Sequence, residues 1–224
     1  MSGFAIDTSK RNKADWVKGL VVLFVGLTIA HLGVSLFLIS ALGSDAFTVM
    51  IQGVSMMVGL SIGTCHVIAL VALMAVMMVT TKGYVKAGTI VCAFCGGWII
   101  DLFLWLFGDM VTDQSSMVVR LIVLVAGCVI LSFGMSIVIK SNSGTGPNDL
   151  IAIILTDVMN KRKKIPFSAV RIACDVTFAV AGFFMGGVVG VGTLVAAGLI
   201  GPMVQFFLPR SEKLIQKIFP TLYE

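Results

Sequence analysis

Glycines recur in this chain in two matched sets. Gly26, Gly33, Gly43, Gly88-Thr89, Gly97 and Phe103 reappear as Gly127, Gly134, Gly146, Gly192-Thr193, Gly201 and Phe207, at an offset of 101 to 104 residues. The preserved order and the paired Gly-Thr predict a duplicated unit rather than chance in a glycine-rich chain. Each copy holds three long apolar runs and one short one, so the copies must be arranged in a membrane.

Composition explains why lipid is the solvent. Hydrophobic residues make up 58% of the 224 residues and charged ones 12%, about half the charge of a soluble domain, with a mean hydropathy of +1.06. The long runs cover about 16–41, 62–80, 87–107, 117–139, 166–185 and 191–208. Each approaches or exceeds the ~20 residues that a membrane helix needs. The first is too long for a signal-peptide core and lacks a small-residue cleavage site, so no signal peptide is expected.

Two further stretches, 46–59 and 148–159, are short. A dozen helical residues span roughly 20 Å, against a hydrocarbon core of ~30 Å. If neither crosses, Lys10, Arg11, Lys13, Lys18, Lys82, Lys86, Lys140, Lys161 to Lys164, Arg210, Lys213 and Lys217 share one side, which the positive-inside rule makes cytoplasmic. Arg120 alone is left at the outer face, with Arg171 inside the fifth run. The net charge of +5 is thus a topology signal, not a nucleic-acid footprint. The expected fold is an all-α membrane protein. Six transmembrane helices form two inverted three-helix repeats, each with a broken or re-entrant short segment after its first helix. The expected boundaries are a cytoplasmic segment 1–15, a first repeat 16–108, a second 117–208 and a cytoplasmic tail 209–224 that lies along the membrane surface.

The breaks are Leu42-Gly43-Ser44-Asp45 and Ser141-Asn142-Ser143-Gly144-Thr145-Gly146-Pro147-Asn148-Asp149. Non-helical backbone survives at membrane depth only where protein or water satisfies it. The short segments after them are either re-entrant half-helices or interfacial connectors. Asp45, Asn148 and Asp149 stand at their starts, and the aspartates either cap them or hold a cation or substrate amine.

At these residues, and at Gly186-Gly187-x-x-Gly190-Val191-Gly192-Thr193 and Gly201-Pro202, the chain resembles the YczE/YyaS/YitT-type bacterial integral membrane proteins. The likeness spans both repeats. It implies a multi-pass protein of the bacterial cytoplasmic membrane; most members have no assigned activity, and transport is the activity the resemblance suggests.

Polar groups inside the apolar runs are the candidate site, because each is costly unless paired. Arg171 and Asp175 share one helix face; they form either a neutralising pair or a pair that an anion or proton can open. Asp101 and its repeat counterpart Gln205 either line a common interior or face water. His31 is either a hydrogen-bonded core imidazole or a proton relay. His66 reads as structural.

No His-Glu-x-x-His, Gly-x-Ser-x-Gly or phosphate-binding glycine-lysine loop occurs, so an enzyme is not expected. Cys65, Cys92, Cys95, Cys128 and Cys174 lie in apolar runs and read as packed thiols, with Cys92-x-x-Cys95 lacking a second pair to make a metal site. No cofactor or metal is expected. A small secondary transporter or permease with a site between the repeats is the leading expectation. The alternative is a non-transporting scaffold that recruits another membrane protein through its basic face. The partners expected are the lipid bilayer, a small molecule or ion, and a second copy in a homodimer; nucleic acid is not among them.

Overall fold

The computed structural model describes residues 12–80, 84–112, 114–160, 165 and 167–222. Lys10, Arg11, Lys82 and the basic cluster 161–164, which carry part of the topology argument, lie outside them. Eight α-helices and no strand occur among the described residues. They are α1 (Lys13–Ser40), α2 (Ala46–Val58), α3 (Ile62–Thr80), α4 (Ala87–Phe107), α5 (Met117–Lys140), α6 (Pro147–Asn160), α7 (Phe167–Phe184) and α8 (Val191–Ile218). Five of them (α1, α3, α4 with the turn that follows it, α5 and α8) are long and apolar enough to cross a membrane. Large apolar side chains stand out from the bundle: Val79 of α3, Phe184 of α7 and Trp105 of α4 are 84%, 82% and 80% exposed. Such a surface is stable only against lipid.

Helix ends follow local chemistry. Asn12, Asp45 and Ser116 occupy N-cap positions, and their side-chain oxygens accept backbone amides of Lys13, Thr48 and Val119. Pro147 opens α6, where its missing N–H would have been unpaired in any case. The two breaks share a backbone signature. Ala41 and Asn142 both lie at φ 53°, and Gly43 and Gly144 both have positive φ, at 103° and 141°. The conformation therefore pairs Gly43 with Gly144, two residues before the Gly146 that spacing selects. A left-handed φ decides the match, and it suits glycine.

The centre is the crossing of α1 and α5. A Cβ at Gly33 would overlap the backbone of Leu131, and one at Gly134 that of Ala30. Gly26 lies against Ile137 and Val138, while Gly127 lies against Leu36 and Phe37. Numbers rise on one helix as they fall on the other, so the two helices are antiparallel. Small residues at these four points let the backbones approach, the usual basis of helix association in lipid. Around this pair, α4 packs on α1 and α8 on α5. On one flank α3 packs against α4, with Gly63 crossing Gly97, while α2 packs against α3 and α7. Helix α6 rests against α7, α3 and α4.

Both short helices are built into the bundle. Phe47, Thr48, Val49 and Ile51 of α2, and Leu150, Ala152 and Ile154 of α6, are buried. At the far end, α8 does not stop near Leu208. It runs on to Ile218, because Ser211 meets Ser136 at 2.6 Å, Glu212 pairs with Lys140 at 2.6 Å, and Ile215 packs with Val22 and Ile137. The tail expected on the membrane surface is, over this stretch, a continuation of a packed helix. All five cysteines are free.

Candidate functional site

A cavity of about 110 Å³ lies where all eight helices meet, its wall drawing residues from each of them. Its polar lining comes from the starts of the two short helices and from three of the long ones. Asp45 and Thr48 come from α2, Asn148 and Asp149 from α6, His31 from α1, His66 from α3 and Arg171 from α7. Thr145 and Gly146 of the second break also line it, and the remainder is apolar, including Val34, Leu70, Leu131, Met135 and Ile200.

Asp45 is placed by its capping role. Its Oδ2 accepts the Thr48 amide at 3.2 Å, and its Oδ1 accepts the Ser44 hydroxyl at 3.4 Å. Asp149 sits in the first turn of α6, where the helix dipole favours negative charge. Its Oδ1 accepts from Arg171 Nη1 at 2.5 Å, while Arg171 Nε donates to Asp175 Oδ2 at 3.1 Å. The guanidinium fork thus bridges two carboxylates on different helices, a role a lysine ammonium cannot fill in the same plane. The sequence allowed the Arg171–Asp175 pair; the contact to Asp149, which joins α7 to α6, is added by the fold.

Four rings form a row beside these charges. His31 meets His66 edge-on with centroids 5.4 Å apart, Phe47 meets His66 edge-on at 5.5 Å, and Phe178 meets Phe47 at 5.5 Å. His31 Nδ1 lies 2.8 Å from the Leu27 carbonyl. A carbonyl only accepts, so Nδ1 carries the proton, and in a neutral ring Nε2 is the acceptor. Gly96 makes room for both rings, since a Cβ there would lie 2.7 Å from His31 Nε2 and 3.5 Å from His66 Nε2. His66 is 6% exposed and its Nδ1 has no hydrogen-bond partner among the described residues.

Of the eight residues singled out from the sequence, His31, Asp45, Asn148, Asp149 and Arg171 line the cavity, and Asp175 reaches it through Arg171. Asp101 does not. It accepts the Ser61 hydroxyl at 2.6 Å and the Gly63 amide at 2.8 Å, so it closes the start of α3 from the neighbouring α4 and is not an unpaired acid. Gln205 is exposed on α8 and likewise lies outside the lining. His66 is the residue that sequence reasoning set aside. The signal was available, since an imidazole within an apolar run falls under the same rule that drew attention to His31.

The arrangement is that of a binding site: charged groups at two helix starts, a wall of rings and an apolar remainder. Residues 17–209 match the model of a family described as a family of unknown function (DUF6198). The chain belongs to this family. Among its relatives is an uncharacterized protein of Haemophilus influenzae, 29% identical over 191 residues that cover 85% of this chain and 84% of the relative. Two from Bacillus subtilis are similar over comparable lengths. The uncharacterized protein YyaS is 29% identical, covering 84% of this chain and 92% of its own, and the uncharacterized membrane protein YczE is 27% identical, covering 91% of each. No solved structure matches. Together with its apolar helices, this makes the family member described here a membrane protein.

Proposed function

We propose that this chain is a small secondary transporter of the bacterial cytoplasmic membrane, binding a small solute in the cavity between two inverted halves. The six spans would be α1, α3, α4, α5, α7 and α8, with both termini cytoplasmic and α2 and α6 re-entering as half-helices. Burial of α2 and α6 against the long helices favours re-entry over an interfacial position. The antiparallel crossing of α1 and α5, with its reciprocal glycine contacts, favours inversion. The observation that carries the proposal is the convergence of both breaks on one cavity: Asp45 from the first and Asp149 from the second line the same space. Broken helices whose N-termini face a shared central site are a recurring plan of secondary transporters. The cavity is read as binding its solute unchanged, not as an enzyme's active site, and the exposed apolar belt as the lipid contact.

Reconstitution into proteoliposomes tests this. Uptake or counterflow of at least one solute from a panel of small cations, anions and neutral compounds is expected, and it should fall when Arg171 or Asp149 is replaced. Absence of flux for every solute, in vesicles that retain folded protein, would overturn the proposal.

A further inference from the structure

Charge in the cavity is unbalanced. Three carboxylates bear on it, Asp45, Asp149 and Asp175, against one guanidinium, and Arg171 is already committed to two of them. Asp45 has no cationic partner among the described residues; its oxygens take only the Thr48 amide and the Ser44 hydroxyl. Asp45 is half-buried in the cavity wall, and a carboxylate there without a counter-ion attracts a cation more strongly than one in open water. An anion would find both helix starts already claimed, one by Asp45 and the other by Asp149 with its arginine.

His66 is the independent observation. It lines the same cavity, is 94% buried by complement of its 6% exposure, and its Nδ1 has no partner. A buried ring nitrogen left unsatisfied marks a place where a ligand or water completes the bonding. A ligand ammonium has N–H donors to offer both a carboxylate and an imidazole nitrogen, and Phe47 in the same lining supplies an aromatic ring, a group that attracts cations. The rest of the lining argues against an inorganic ion. Val34, Leu131, Met135 and Ile200 offer no oxygen, whereas hard metal ions gather six or more oxygen ligands. Among the described residues no group of three His, Cys, Asp or Glu is placed to hold a metal. Size follows from volume. The cavity's 110 Å³ falls somewhat below the about 150 Å³ of an engineered cavity that admits benzene.

The geometry points to a small organic cation as the ligand: a protonated alkylamine of up to about six heavy atoms, its ammonium at Asp45 with His66 as second contact and its tail among Leu131, Met135 and Ile200. This inference rests on the reading of the cavity as a solute site.

Calorimetric titration of the purified full chain in detergent with n-propylammonium chloride, n-propanol and sodium propionate separates charge from size. Propylammonium should bind saturably and the other two should not. Asp45→Asn should weaken binding by about ten-fold or more, the scale of one charge-assisted contact. Asparagine is also a good helix cap, so the fold should be kept. Asp45→Glu, which keeps the charge, should retain binding, and Gln205→Ala, outside the cavity, should leave it unchanged. Stronger binding of propionate or propanol, wild-type affinity in Asp45→Asn, or no binding of propylammonium would each overturn the inference. Proteoliposomes from the same preparation keep the two readings apart. Propylammonium bound but not moved removes transport and leaves the ligand class standing. Flux of an anionic or neutral solute without propylammonium binding does the reverse.

Discussion

The amide of Gly192 donates to the carbonyl of Leu42 at 2.7 Å, tying the first turn of α8 to the break that follows α1. Its counterpart is the amide of Gly88, which donates to the carbonyl of Ser143 at 3.0 Å and ties α4 to the break after α5. Leu23 and Leu124, at matching places on α1 and α5, pack on Gly88 and Gly192 respectively. Each half therefore completes the irregular backbone of the other. Carbonyls freed where a helix breaks are satisfied by amides that are spare at a helix start.

Replacing Gly43 should show how tightly one tie is made. Its φ of 103° is unfavourable for any side chain, and a Cβ would lie 2.6 Å from Thr193 Oγ1 and 2.8 Å from the Gly190 amide nitrogen. Gly43→Ala should lower stability by about 1–3 kcal/mol from backbone strain and crowding. Thermal unfolding in detergent measures this.

Two other glycines should respond in opposite directions. Gly33→Ala forces a methyl group into the backbone of Leu131 and should cost about 1–3 kcal/mol. Gly198 lies inside α8 with nothing beyond its own helix within 4 Å of a Cβ, so Gly198→Ala should be neutral or stabilising by up to about 1 kcal/mol. Comparing the two melting temperatures decides it, and equal losses would contradict the packing described.

Arg171→Gln should be the most damaging single change at the site. It leaves Asp149 and Asp175 facing each other without the shared cation; with all three side chains 24–38% exposed, a cost of about 1–3 kcal/mol is expected, below that of a fully buried pair. Adding Asp149→Asn to Arg171→Gln should recover part of the loss. A double-mutant cycle on unfolding temperature reads the coupling.

Gly96→Ala should act on binding more than on folding. The added methyl group lies 2.7 Å from His31 Nε2, so the imidazole must move, and its neighbour His66 with it. Solute flux should drop by about ten-fold or more, equivalent to about 1.4 kcal/mol, with a smaller effect on thermal unfolding.

Tyr84 and Asp157 supply a pH-dependent contact at the loop before α4. The Tyr84 hydroxyl donates to Asp157 Oδ2 at 2.7 Å. That hydrogen bond first, then burial and the nearby negative charge, hold the phenol above its usual value of 10.0. Because the folded value is the higher one, the stabilisation is complete below pH 10 and is lost as pH climbs through the raised value. Tyr84→Phe should cost about 1 kcal/mol near neutral pH, and the gap between the two proteins should close in strongly alkaline solution. Unfolding curves from neutral to alkaline pH test the sign.

Much of the framework was legible because it depends on local pattern. Apolar runs mark α1, α3, α4, α5 and α8, and the matched glycines at 26, 33, 127 and 134 mark the face on which α1 and α5 cross. Arg171 stands out because charge is rare in such runs, and Asp45 and Asp149 because they stand at the two breaks. What escaped notice depends on neighbours distant in sequence. Asp101 reads either way from the sequence because its partners, Ser61 just before α3 and Gly63 within it, are distant along the chain. His66 looked structural because nothing around it signals that His31 and Phe47 flank its ring. Spacing matched Gly43 to Gly146 since the second break offers two glycines, and only the dihedral angle distinguishes them. Helix α8 outran its apolar segment because Ser211, Glu212 and Ile215 find partners on α1 and α5.

The crossed ties have a consequence for how the chain is made. When Leu42 leaves the ribosome, the amide that will satisfy its carbonyl is still 150 codons away. At about 5–20 residues per second that delay is on the order of ten seconds. Through that interval the first half holds an open backbone carbonyl beside lipid and translocation machinery, while the second half emerges to a partner already in place. Biogenesis is thus lopsided in a molecule whose two ties mirror each other, and the early half has the greater need of a chaperone.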